Sequence, residues 1–210
     1  MENTNVVIVD YGMGNLRSVQ KALEHVGAHA LVSSDPARVA SADRLVLPGV
    51  GAFADAMHEL RRRDLIDPLR EFLQTDRPFL GICLGLQLLF DESEEGGEEG
   101  GEAAAGLGFI SGRVVRFPRS DQHKVPHMGW NQVEAQQPSP LMAGMDQSSW
   151  FYFVHSYYVV PEQESDVWLT CRYIVPFCAA IRRGPVHATQ FHPEKSQRVG
   201  LKLLKNFMAL

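Results

Sequence analysis

Apolar positions in the first half of the chain follow two alternating patterns. Short apolar runs at Val6–Val9, Ala28–Val32, Arg44–Leu47 and Arg77–Ile82 read as strands. Between them, Leu16, Val19, Leu23 and Val26 recur at helical spacing up to Gly27, a natural stop. Ala52–Arg62 and Leu65–Gln74 carry the same period, and Leu84–Asp91 is expected to start a helix directly after the fourth strand. Strands alternating with helices predict a parallel sheet covered on both faces.

The second half changes character. Val114–Phe117, Val125–Val133, Trp150–Val160, Val167–Tyr173, Cys178–Arg182 and Val186–Gln190 are strand candidates separated by turn residues, and Val199–Met208 closes the chain as an amphipathic helix. The expected fold class is α/β: a central, mostly parallel sheet flanked by helices, with additional antiparallel strands in the second half. At 210 residues the chain suits one sizeable domain, 1–210, a little above the usual ~100–200.

Composition is that of an ordinary folded protein, 45% hydrophobic and 21% charged. The net charge of −5 is local in origin: Asp91–Glu102 holds seven acids and no base, and outside it 20 basic residues face 18 acidic ones. Charge therefore makes no case for a nucleic-acid partner. The surrounding Glu92–Gly106 stretch, rich in glycine and like charges, reads as a mobile, exposed loop without function. Three widely spaced cysteines, Cys83, Cys171 and Cys178, suggest neither a disulfide framework nor a zinc site. The amino terminus lacks signal-peptide character. The longest apolar stretch, Pro78–Phe90, is well short of the ~20 residues a bilayer span needs. A reduced, cytoplasmic protein with no membrane contact is expected.

Candidate chemistry begins at Gly81-Ile82-Cys83-Leu84-Gly85, between a strand and a helix. Glycines two before and two after a nucleophile mark a nucleophile elbow, a tight turn that leaves no room for flanking side chains. A helix N-terminus behind the thiol would favour thiolate, and the Leu84 amide would face a developing oxyanion. A buried cysteine beside packing glycines is the plainer alternative. A nucleophilic cysteine needs a base, and the base an orienting acid. Gln190-Phe191-His192-Pro193-Glu194 offers both. His192 is expected to end a strand, with Glu194 two residues on projecting the same way in extended chain. Gly49-Val50-Gly51 either lets backbone amides approach a substrate carbonyl or is an ordinary strand-to-helix turn. Gly12-x-Gly14 is no dinucleotide loop, since the third glycine of that pattern falls on Arg17. The pairs His25/His29 and His123/His127 lack a completing carboxylate, so no metal and no cofactor are expected.

Taken together, Pro48-Gly49-Val50-Gly51, Gly81-Ile82-Cys83-Leu84-Gly85-Leu86-Gln87 and Gln190-Phe191-His192-Pro193-Glu194 resemble the three signatures of class I, triad-type glutamine amidotransferases. Asp10–Leu16, His127–Asn131, Phe153–Tyr157 and His192–Ser196 are similar to segments of one branch, the glutaminase subunits of imidazole glycerol phosphate synthases. The acidic run is longer than expected for the family. The resemblance implies a catalytic triad of Cys83, His192 and Glu194 and an oxyanion hole from the amides of Val50 and Leu84. It implies glutamine binding by Gly49, Gly51 and Gln87, and ammonia delivery to a (β/α)₈-barrel cyclase partner in a heterodimer. Gly12, Asn15, Met128, Trp130, Asn131, Tyr157 and Lys195 would fall at that interface. A glutaminase serving another synthase, a stand-alone γ-glutamyl hydrolase and a catalytically silent binding module are the competing functions. Intact Cys83, His192 and Glu194 speak against the last.

Overall fold

A computed structural model of the chain describes residues 5–96, 103–146 and 148–210. The first half runs β1 (Asn5–Val9), α1 (Leu16–His25), β2 (His29–Ser33), α2 (Pro36–Ala40), β3 (Leu45–Gly49), α3 (Phe53–Arg62), α4 (Ile66–Leu73), β4 (Phe79–Cys83) and α5 (Leu84–Gln87). The second half adds β5 (Phe90–Ser93), β6 (Ala104–Ala105), β7 (Ile110–Arg116), β8 (His127–Ala135), β9 (Trp150–His155), β10 (Tyr157–Pro161), β11 (Val167–Arg172), β12 (Pro176–Arg183), β13 (Val186–Thr189) and α6 (Gln197–Phe207).

These strands form one branched sheet. Its main path is β2-β1-β3-β4-β13-β12-β10-β7-β5-β6, and β11, β8 and β9 branch from β12. The five strands from β2 to β13 are parallel, and antiparallel pairing begins where β13 meets β12. Strand alternation divides the core. Val7, Val9, Leu45, Leu47 and Phe79 face α3 and α4, which contribute Phe53, Leu60, Leu69 and Phe72. Val6, Ile8, Val46, Leu80 and Ile82 face α1 and α6, which contribute Val19, Leu23, Leu203 and Phe207. β3 and β4 are buried along their whole length, as central parallel strands covered on both faces must be. The C-terminal ends of β3, β4 and β13 therefore lie side by side, with Gly49 opposite Cys83 and Ile82 opposite Thr189.

Three expectations need correction. The helix expected over Leu84–Asp91 is a single turn, and Phe90–Ser93 pairs in parallel with β7 instead. Leu86, Leu88, Leu89 and Phe90 are all buried, so the segment lacks the polar face that a surface helix requires. The stretch 92–106 is not one loop either. Glu92 and Ser93 pair with Ala105 and Ala104, and Ser93 is fully buried. Residues 97–102 of it lie outside the described residues. The single strand expected over Trp150–Val160 divides at Ser156 into β9 and β10. Among the described residues, no helix is long and apolar enough to cross a membrane.

Candidate active site

Cys83 closes β4 in a backbone conformation that L-residues rarely adopt, φ 55° and ψ −106°. The neighbouring glycines make that turn possible. A Cβ on Gly81 would lie 2.8 Å from both the Ala188 Cβ and the Gly85 carbonyl oxygen. A Cβ on Gly85 would collide with the Leu47 carbonyl of β3. This is the steric signature of an elbow. Because α5 has only one turn, however, the helix dipole behind the thiol is much smaller than the sequence suggested. Leu84 opens that turn, so its N–H has no intrahelical partner.

His192 follows β13 with extended backbone, φ −102° and ψ 98°. Its pairing with Glu194 does not use the extended chain that the sequence led us to expect. Pro193–Lys195 forms a 3₁₀ turn, which brings the carboxylate back to the ring. The result is a His192 Nδ1 to Glu194 Oε1 contact of 2.8 Å, with both side chains almost wholly buried. The backbone of His192 is held on both sides. Its N–H donates to the Tyr152 carbonyl at 2.9 Å, and its carbonyl accepts from Ser196 Oγ at 2.6 Å. Burial works against a charged ring, but Cys83 and the Glu194 carboxylate outweigh it and raise the His192 pKa to about 10. With Nδ1 turned to Glu194, Nε2 has no hydrogen-bond partner within 3.5 Å among the described residues.

Cys83 and His192 line one cavity of about 410 Å³, together with Val50, Gly51, Leu84, Gln87, Glu95 and Lys195. Gly49 lies beneath it rather than in its wall. A Cβ there would lie 2.5 Å from the Tyr11 hydroxyl and 2.7 Å from the Leu84 Cβ, so glycine is what allows the two strand ends to close up. Gln87 is buried, and its Nε2 donates to the Tyr157 carbonyl and to Gln190 Oε1, each at 3.1 Å.

Two residues of this site were given no role from the sequence, although Gln190 opens the motif that holds His192 and Glu95 lies in the acidic run. Gln190 is fully buried and points Nε2 at Cys83 Sγ, 3.6 Å away. Glu95, within the stretch read as a solvated loop, lines the cavity and accepts a 2.9 Å hydrogen bond from the Phe53 N–H at the start of α3. Burial pushes its carboxyl pKa up, partly offset by that N–H, and Asp55 pushes the same way as burial. The acidic run thus contributes a wall residue and is not wholly a solvated loop.

The residues expected at an interface separate by strand face. Met128 and Trp130 of β8 are 63% and 43% exposed, and Trp130 stands edge-on to Tyr152 of β9. Trp150, on the same hairpin, is 52% exposed and was not singled out from sequence. Asn131 alternates to the opposite face of β8, where its Nδ2 donates to the Arg172 carbonyl at 3.0 Å and lies 3.2 Å from His127 Nε2. Asn15 caps α1 through Ser18 N, beside exposed Gly12. Tyr157 is half-buried and gives its carbonyl to Gln87, while half-buried Lys195 lines the cavity.

A strained cysteine, a buried His–Glu pair and a glycine turn around one cavity define a class, and comparison with known proteins agrees. The chain belongs to the glutamine amidotransferase class-I family, whose family model matches residues 7–210. Among individual relatives it is 58% identical to the imidazole glycerol phosphate synthase subunit HisH of Syntrophotalea carbinolica, over 96% of this chain and 98% of that one. It is 54% identical to the subunit of the same name from Rhodopirellula baltica, over 96% of each chain. It is with these subunits that the chain groups. The structure of PurLQS from Thermotoga maritima shares the fold, with a TM-score of 0.72 at 16% identity, covering 99% of this chain and 98% of that one.

Proposed function

We propose that the chain is the glutaminase subunit of an imidazole glycerol phosphate synthase and works as a single domain, 1–210, in histidine biosynthesis. Cys83 attacks the side-chain amide carbon of glutamine. The N–H groups of Val50 and Leu84 receive the developing oxyanion, a kind of contact worth about 10²–10³ in rate per donor. His192, oriented by Glu194, passes the proton to the departing nitrogen, and ammonia leaves. Water, deprotonated by the same imidazole, then cleaves the γ-glutamyl thioester to glutamate and restores the thiol. Gln87 and Gly51 hold the substrate. Glu95 and Lys195 place opposite charges in the cavity wall, a match for the ammonium and carboxylate of a free amino acid.

Ammonia passes to a cyclase partner, a (β/α)₈ barrel in a cytoplasmic heterodimer, which joins it to a phosphoribulosyl formimino nucleotide. Exposed Met128 and Trp130 of β8 anchor that partner, and exposed Gly12 and Asn15 belong to the same interface. The observation that carries the reading is the convergence of Cys83, the His192–Glu194 pair and Val50 on one cavity. The test is the glutaminase rate of the chain alone and with a cyclase subunit and its nucleotide. A slow free chain that accelerates in the loaded complex supports the reading. A free chain as fast as the complex indicates a stand-alone hydrolase.

A further inference from the structure

Gln190 is a polar side chain beside the nucleophile that the chemistry above leaves unused. Its carboxamide is oriented by its partners. The Tyr157 carbonyl can only accept, so the atom of Gln87 facing it at 3.1 Å must be the NH₂ nitrogen. The second hydrogen of that NH₂ is directed at Gln190, also 3.1 Å away, so Gln190 must present its oxygen there. Its own NH₂ is then what remains beside Cys83 Sγ, at 3.6 Å. The Tyr157 carbonyl is fixed in turn by His155, whose Nδ1–H donates to it at 2.8 Å and whose Nε2 accepts from His127 Nδ1–H at 3.0 Å. Each N–H hydrogen in this chain has one acceptor, so its polarity cannot be reversed without leaving a buried group unpaired.

We propose that Gln190 is a further catalytic residue, donating an N–H to the Cys83 sulfur, and that Gln87 is the positioning residue that aims it. This rests on the reading of Cys83 as nucleophile. With only one helical turn behind the thiol, a fixed side-chain donor takes the place of the helix dipole in favouring thiolate. A carboxamide suits the task because it neither gains nor loses a proton near neutral pH, so proton transfer stays with His192. The donor meets the negative sulfur before attack and again as the thioester is cleaved. It gains little from the neutral thioester sulfur, a poor acceptor.

The test is the pH dependence of iodoacetamide alkylation at Cys83 in the full-length chain, with Cys83→Ala subtracting any reaction at Cys171 and Cys178. Gln190→Met keeps the length of the side chain and removes both polar atoms. Its alkylation at pH 7 is expected to slow about tenfold, with the pH midpoint moving up by about one unit. In the glutaminase assay kcat falls by a similar factor while KM stays within about twofold. Gln190→Glu keeps the bond from Gln87 and turns the donor into an acceptor, so its midpoint moves up further. Should the Met variant fail to unfold cooperatively, the Glu variant decides. A folded variant with the wild-type alkylation profile and kcat overturns the role of Gln190. If Cys83→Ala has lost glutaminase activity in the same experiments, the nucleophile assignment stands. If Cys83→Ala retains it, both fall.

Discussion

Replacing Glu194 with Gln probes the buried pair with the least change in shape. In the native site His192 Nδ1 lies 2.8 Å from Glu194 Oε1, and both side chains are all but inaccessible to water. A hydrogen bond to a charged group contributes roughly 1.5–3 kcal/mol, a neutral one roughly 0.5–1.5. If the new carboxamide offers its oxygen, imidazolium loses about 1–2 kcal/mol of stabilisation. At 1.36 kcal/mol per decade, that is about 5–30-fold in kcat/KM. If it offers its nitrogen, Nδ1 must accept, the ring proton moves to Nε2, and the ring can no longer take a proton at the cavity. The loss is then about 10⁴, as with the equivalent change in a serine-protease triad. The assay is steady-state glutamine hydrolysis in the assembled complex, beside urea unfolding of the free chain. A loss of at least fivefold in a folded, assembling variant is expected. A Glu194→Gln complex within twofold of wild type would refute the pair as the acid–base unit.

Three further outcomes follow from the same geometry. Glu95→Gln keeps an oxygen for the Phe53 N–H but removes the charge from the cavity wall. It should raise KM for glutamine about tenfold with kcat nearly unchanged, since a lost charged contact costs about that much; an unchanged KM speaks against a substrate contact. Trp130→Ala should weaken the complex about 30-fold by titration calorimetry while leaving unfolding unaffected, and an unaltered Kd would place the partner elsewhere. Burial lowers the pKa values of His127 and His187 to about 4 and of His155 to about 3. The unfolded chain binds protons at these sites below about 6.5, so their contribution is complete above that pH and is lost as pH falls toward 4. His192 is shifted the other way: its contribution is complete below about 6.5 and disappears as pH rises through about 10. Unfolding free energy should therefore drop by about 1 kcal/mol per pH unit for each of the three histidines between pH 6.5 and 5, read by urea titration. A flat profile there would contradict their buried, neutral state.

What could be read from the sequence follows the range of the interaction involved. β3 and β4 were legible because strands covered on both faces become continuous apolar runs. The elbow was legible because its glycines flank Cys83 in the chain. The Leu84–Asp91 segment misled because a run that is apolar all round has no period to separate helix from buried strand. Glu95 meets a backbone N–H 42 residues away and Gln190 a carboxamide 103 residues away, so no local pattern showed these contacts, although Gln190 opens the motif that holds His192. Asn131 shows the reverse. Its motif grouped it with Met128 and Trp130, but alternation along β8 turns it toward His127 and the Arg172 carbonyl.

The central claim is that one cysteine generates ammonia for a reaction completed elsewhere. It is tested most directly by assaying Cys83→Ala, assembled with the cyclase subunit, for two activities side by side. Glutamine-dependent synthesis of imidazole glycerol phosphate should be abolished, while synthesis from added ammonium salts should continue at close to the wild-type rate. Loss of both activities with assembly intact, or persistence of the glutamine-dependent one, would contradict the account.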